Sequence, residues 1–319
     1  MAVYTKVSAE EIEDFLTRFD VGTLVSAKGI AEGVENSNYL IETTQDRFIL
    51  TLYEKRVDPN DLPFFITMLD HLADKNCPVP PMISDRVGIK IQKLCGKSAC
   101  LIKFLPGISV TTPTPLQARA TGKALGEMHN ALTDFTGKRA NSMDHDTWRE
   151  LATDCGPNEL DAIAPGLQVV VDEELDHLDQ NWPGELPISV IHADLFPDNV
   201  LMLDDQVTGL IDFYFSCTDI RAYDVAVTHA AWCFSEDGEK FDAAVSEALI
   251  TGYDEIFHLS AEDRAALPVL ARGASLRFML TRAYDWINTP ADALVTRKDP
   301  MAFLNRLKFY QENPDIFQI

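Results

Sequence analysis

Three oxygen-bearing side chains recur at informative spacing in one stretch. Ile191-His-Ala-Asp-Leu-Phe-Pro-Asp-Asn199 is followed by Val200-Leu-Met-Leu203, the pair Asp204-Asp205, and Val207-Thr-Gly-Leu-Ile-Asp-Phe213. Two apolar, β-prone runs flanking a polar Asp-Asp turn read as a hairpin. Pairing Leu203 with Gln206 sets Asn199 opposite Leu210 and puts Asp212, two positions on, on the same face. Diagonal neighbours on one face lie roughly 7 Å apart, within reach of one ion. Asp194 falls in the loop at the open end of this hairpin. Carboxylate and amide oxygens suit a hard cation such as Mg²⁺, which keeps several waters and completes its shell with substrate phosphates. A further carboxylate beside it can take or orient the proton of an attacking hydroxyl. These are the parts of phosphoryl transfer to an alcohol.

Such a loop needs elements to hold it. Ser8 and Glu11 form a capping box ahead of Ile12, Phe15, Leu16 and Phe19, which recur at helical spacing. Asn38–Thr43 and Arg47–Tyr53 are short and β-rich and flank a polar turn at Thr44–Asp46, so they read as an antiparallel hairpin. A helix over Leu62–Lys75 is stopped by Pro78-Val-Pro-Pro81. Strands near Gly88–Leu94 and Ala99–Phe104 complete a small sheet. Leu105-Pro-Gly107 breaks the pattern, and from Thr114 onward the chain is mainly helical apart from a β-rich island over Pro187–Phe215. The expected fold is α+β and bilobal: a small antiparallel-sheet lobe over 1–104, a hinge at 105–107 and a larger, mainly helical lobe over 108–319.

Composition narrows the function. The 319 residues carry 27 Lys+Arg against 50 Asp+Glu, a formal net charge of −23. A surface this acidic repels phosphate backbones and anionic lipid, which argues against nucleic-acid or membrane-surface partners. The N-terminus has no apolar stretch and no small-residue cleavage site, and no run approaches the ~18 apolar residues that span a bilayer. The six cysteines have no C-x-x-C spacing and read as scattered free thiols of a cytoplasmic protein. The acidic run over 141–180 reads as a solvated face of surface helices. Gly96-Lys97-Ser98 echoes a phosphate-binding loop, but Ile91 stands where that loop needs its first glycine, so it reads as a hairpin turn.

D-x-x-x-x-N followed by I-D-F resembles the catalytic and metal-binding loops of the protein-kinase-like fold. The form H-A-D-x-x-x-x-N most resembles the aminoglycoside phosphotransferase/choline kinase superfamily. Leu125-Gly-Glu-Met-His129 is similar to that family's helix before the catalytic loop, and Ile102-Lys-Phe-Leu-Pro-Gly107 to its hinge. Within the superfamily, EGVENSNYLIET at 32–43, FILTLYEKR at 48–56, DLPFF at 61–65 and GASLRFMLTRAYDW at 273–286 resemble the homoserine kinase branch.

The resemblance implies an ATP-dependent kinase of the threonine pathway acting on a small molecule, L-homoserine. Asp194 would be the base, and Asn199 and Asp212 the Mg²⁺ ligands. His192 would support the loop. Backbone groups of Lys103 and Leu105 would hold adenine, and the loop over Gly29–Asn38, with Ser37 and Asn38, would cover the phosphates. Arg277 or Arg282 would receive the acceptor's carboxylate, with Tyr214, Tyr223 and Asp224 as further pocket candidates. Thr51 stands where the family usually has a phosphate-holding Lys, and Phe65 lies near the place of its Glu partner. Lys55 or Arg56 are possible substitutes. Two other readings stay open: a kinase for choline, ethanolamine, methylthioribose or an aminoglycoside, and a non-catalytic pseudokinase-like regulator.

Overall fold

The computed structural model describes residues 5–30, 36–54, 58–289 and 297–318. The chain divides into two compact units, Met1–Pro106 and Gly107–Ile319. In the first, α1 (Ala9–Leu16) begins at Ser8, whose hydroxyl accepts from Glu11 N while the Glu11 carboxylate accepts from Ser8 N at 2.8 Å. The strands are β1 (Leu24–Gly29), β2 (Ser37–Thr43) and β3 (Arg47–Leu52), then, beyond α2 (Leu62–Asp74), β4 (Met82–Ile83), β5 (Gln92–Leu94) and β6 (Lys97–Lys103). They form one antiparallel sheet in the order β1-β2-β3-β6-β4, with β5 also on β6. Side chains alternate between its faces. Ile41, Leu50, Leu52 and Leu101 face Ile12, Phe15, Leu16 and Phe19 in the core, whereas Asn38, Thr51 and Cys100 belong to the opposite set.

The sequence expectations correspond to α1, the β2–β3 hairpin and α2. They miss β1, a mostly exposed edge strand with no apolar alternation, and β4, two residues placed just after Pro80-Pro81. The strand expected from Gly88 starts only at Gln92, because Asp85 accepts the amides of Val87 and Ile89 (3.0 and 2.7 Å) and holds 85–89 as a turn.

The second unit contains α3 (Pro115–Ala131), α4 (Trp148–Asp154), α5 (Glu159–Ile163), α6 (Leu167–Asn181), β7 (Ile188–Ile191), β8 (Val200–Leu203), β9 (Gln206–Leu210), β10 (Cys217–Ile220), α7 (Arg221–Trp232), α8 (Ala243–Ile256), α9 (Ala261–Asn288) and α10 (Met301–Glu312). α3 and α8 approach backbone to backbone, since a Cβ on Gly122 would lie 2.1 Å from the Leu249 carbonyl oxygen. β7 pairs antiparallel with β10, and β8 with β9. Among the described residues no helix is long and apolar enough to cross a membrane.

The β8–β9 hairpin corrects the expected register. Leu203 faces Gln206 and Met202 faces Val207, but Leu201 faces Gly209 and Val200 faces Leu210. Thr208 is the extra residue of a β-bulge, its hydroxyl donating to the Leu201 carbonyl at 3.1 Å. The shift moves Asn199 from Leu210 to Ile211, whose N–H donates to the Asn199 carbonyl at 3.0 Å. Strand alternation therefore does not place Asn199 and Asp212 on one face.

Candidate active site

Two local backbone features place the three oxygen-bearing side chains. Asn199 ends a single 3-10 turn, Pro197–Asn199, after Phe196. Asp212 adopts a left-handed conformation, φ 64 and ψ 59, before the turn Phe213–Phe215. That conformation, not the strand period, sets the direction of its side chain. Asn199 donates from Nδ2 to the Asp194 carbonyl at 2.7 Å and to its carboxylate at 3.2 Å. This leaves Oδ1 as the acceptor atom of the amide.

Asp194 is half-buried. Burial raises its carboxyl pKa well above the ordinary value, the Asp212 carboxylate raises it further, and the charges of Arg277 and Lys298 oppose them. Asn199 Oδ1 and the Asp212 carboxylate are hard oxygen donors of the kind a divalent cation takes, and the Asp194 carboxylate adds negative charge beside them. On that electrostatic ground the residues fit Mg²⁺.

The backbone beneath Asp194 is pinned from several elements. Asp224, in the first turns of α7 and fully buried, accepts from His192 N at 2.7 Å and Ala193 N at 2.8 Å. The same carboxylate bonds His129 Nε2 of α3 at 3.0 Å, and His129 Nδ1 meets the Tyr253 hydroxyl of α8 at 2.8 Å. Burial works against the charge on Asp224, but His129, His192 and the loop amides outweigh it and hold its pKa below the ordinary value. His192 donates from Nε2 to the Ile211 carbonyl at 3.0 Å, which ties the Asp194 loop to the segment carrying Asp212. Burial lowers the His192 pKa. Ala193 has φ 63, a left-handed conformation that costs a non-glycine residue about 1–2 kcal/mol. The surrounding bonds hold it there.

The other candidates fall into distinct settings. Arg277, on α9, is 2% exposed and donates from Nη1 to the Ala193 carbonyl at 2.7 Å. Arg282, one turn on, is half-buried. Its guanidinium carbon lies 4.5 Å from the Phe303 ring centroid, and Nη1 donates to the Asp299 carbonyl at 3.2 Å. Burial lowers its pKa to about 10, against the opposing pull of Asp198, Asp299 and Asp194. Among the described residues it has no carboxylate within salt-bridge distance. Tyr214 is half-buried in the turn after Asp212. Tyr223 is buried on α7, with ring centroids of Trp148 and Trp182 at 6.5 and 5.8 Å.

In the first unit, Thr51 donates its hydroxyl to Asn38 Oδ1 at 2.7 Å. Ser37 lies on the other face of β2, where its hydroxyl donates to Glu54 at 2.8 Å and accepts from Thr5 N at 3.0 Å. Lys97 pairs with the same Glu54 at 2.9 Å. Lys103 N–H donates to the Pro81 carbonyl at 3.0 Å, while Leu105 is half-buried just beyond β6. Lys55, Arg56 and the 31–35 part of the expected phosphate loop lie outside the described residues.

Sequence reasoning missed the way Asp224, His129 and Arg277 support the loop. One signal was present: Asp224 opens a run of small and apolar helical residues, Val225-Ala-Val227, and a buried polar group there must find partners.

Residues 26–259 match the phosphotransferase enzyme family. The chain is 55% identical over 313 residues to the homoserine kinase of Zymomonas mobilis, covering 98% of each chain, and 49% identical over 311 residues to that of Xanthobacter autotrophicus, covering 98% of this chain and 96% of the relative. Among solved structures, an amicoumacin kinase in complex with AMP-PNP, Ca²⁺ and Ami aligns with TM-score 0.73 at 14% identity over 96% of this chain and 94% of that one. A microcompartment-associated aminopropanol kinase aligns with TM-score 0.69 at 19% identity over 97% and 98%. These neighbours share the protein-kinase-like fold.

Proposed function

The chain belongs to the phosphotransferase enzyme family and is an ATP-dependent kinase, and from that premise we propose that its acceptor is the hydroxyl of L-homoserine. The observation that supports this acceptor is the near-full-length identity with homoserine kinases. The chemistry is assigned to the pinned loop. Asp194 orients the acceptor hydroxyl and takes its proton as the new bond to the γ-phosphorus forms and the bond to ADP breaks. Asn199, through Oδ1, and Asp212 would hold Mg²⁺, which when bound neutralises charge on the nucleotide phosphates. The chain itself contributes orientation and a fixed electrostatic setting.

Recognition follows the same division. Arg282 receives the acceptor carboxylate: it is a partly desolvated cation that keeps its charge at neutral pH and, among the described residues, has no carboxylate within salt-bridge distance. Tyr214 lines the acceptor side. Because the Lys103 N–H is engaged, adenine recognition falls to the Lys103 carbonyl and the Leu105 backbone. Asn38, held by Thr51, and the backbone at Ser37 border the phosphate loop. A cytoplasmic small-molecule enzyme of threonine formation is part of this reading, with the lobes at 1–104 and 108–319 and the hinge at 105–107.

The test is a coupled ADP-release screen of the purified protein against homoserine, choline, ethanolamine, methylthioribose and kanamycin. Homoserine should give by far the highest kcat/KM. Preference for another alcohol moves the assignment to that acceptor, and no turnover with any of them favours a non-catalytic regulator.

A further inference from the structure

Arg277 is a cation almost wholly removed from solvent, at 2% exposure. Among the described residues no carboxylate lies within salt-bridge distance of it. Its guanidinium carbon sits 4.5 Å from the ring centroid of Phe278 and 5.7 Å from that of Phe215, and Nη2 lies 3.9 Å from Met143 Sδ. Nε is buried without a hydrogen-bond partner. A buried guanidinium placed so expensively needs a use.

The one strong bond it makes, 2.7 Å to the Ala193 carbonyl, falls on the peptide that joins Ala193 to Asp194. The preceding amide, Ala193 N, is held from the other side by Asp224 at 2.8 Å. The left-handed residue is thus gripped at both its peptide groups, by an acid on α7 and a base on α9. Turning the second peptide would swing the Asp194 side chain with it.

We infer that Arg277 is a positioning residue for Asp194, which locks the Ala193–Asp194 peptide and does not bind the acceptor. The inference rests on the reading of Asp194 as the base. It leaves the acceptor carboxylate to Arg282 alone.

Arg277→Met keeps most of the side-chain volume and removes the charge and the donors; Arg277→Lys restores the charge and one donor. Both are assayed with homoserine and with 3-aminopropan-1-ol, the same alcohol without the carboxylate. The expected result for Arg277→Met is a fall in kcat of about 10²-fold with either acceptor and a homoserine KM within about twofold of wild type. Arg277→Lys recovers part of the loss. In an Asp194→Asn background, Arg277→Met costs less than about threefold, because a residue that acts through Asp194 has nothing left to position.

A homoserine KM raised about tenfold or more, with 3-aminopropan-1-ol unaffected, makes Arg277 the carboxylate receptor and overturns the inference. Full additivity with Asp194→Asn overturns it too, by showing a general effect on the fold. If the Met variant does not fold, the same cycle is run with Lys. If the wild type does not phosphorylate homoserine, the acceptor assignment fails by itself, and the cycle on ATP hydrolysis, with water as acceptor, still decides the role of Arg277.

Discussion

The two units hold their candidate site residues by different means. Around Asp194, the loop backbone is tied by Asp224 of α7 and Arg277 of α9, with His129 of α3 bonded to Asp224 behind it, and all three are buried. Beside the expected phosphate loop, Asn38 is held by one hydroxyl, from Thr51. The difference follows from what each region must do. A group that moves a proton has to be fixed to a fraction of an ångström, and that takes specific side chains at specific depths. In the proposed function, adenine and phosphates are gripped through backbone atoms, which almost any sequence supplies.

If that contrast holds, the damage from substitution should fall steeply from the second unit to the first. Asp194→Asn should lower kcat by about 10²–10⁴-fold while leaving the ATP KM nearly unchanged, measured by coupled ADP release. Turnover within tenfold of wild type would remove Asp194 from the base role. Asp224→Ala strips His129 and two loop amides of a shared acceptor in a fully buried place. It should cost about 3–5 kcal/mol in urea unfolding together with most of the activity. A loss near zero would mean that the loop holds itself.

A third test separates support of the site from support of the fold within the same unit. His229 bonds the Tyr310 hydroxyl at 2.6 Å and the Ser246 hydroxyl at 2.8 Å. Burial without an acidic partner pushes its pKa down to about 3, from an ordinary 6.5. As pH falls below 6.5 the unfolded chain takes up a proton that the folded chain refuses, so stability declines progressively toward pH 3. At pH 5 the decline from this residue is about 2 kcal/mol. Comparing urea midpoints at pH 7.5 and 5, His229→Leu should show less acid sensitivity than wild type. An equal slope in both proteins would place the sensitivity elsewhere. The smallest effect belongs to the first unit: Thr51→Ala should cost about 1 kcal/mol and shift the ATP KM by less than about threefold. A much larger rise in KM would show that Thr51 and Asn38 grip the nucleotide directly.

The sequence was most legible where local rules act alone. The capping box at Ser8 and Glu11, the hairpin around Thr44–Asp46 and the helix after Asp61 depend on neighbours in the chain. The candidate trio stands out by residue type and spacing, but the strand period expected to put Asn199 and Asp212 on one face does not. Strand period alone would also have separated Ser37 from Asn38, which face opposite ways. What escaped was set by contacts distant in sequence. Arg277 looks like a surface residue in its own helix, and its burial comes from Phe215, Phe278 and a loop some eighty positions earlier. The Asn199–Ile211 register was hidden because a bulge obeys no pattern of apolar residues.

Hairpin tips are ordinarily where chains gain or lose residues without harm. The tip at Asp204–Asp205 is exposed, yet the ladder below it counts one residue more on its return strand than on its outgoing one. A deletion that restored even numbering would send the chain into Asp212 half a pleat out of phase. Length in this surface hairpin is therefore under the same constraint as the half-buried acid it leads to, and relatives that align here with gaps should be expected to have rebuilt the acid's approach by another route.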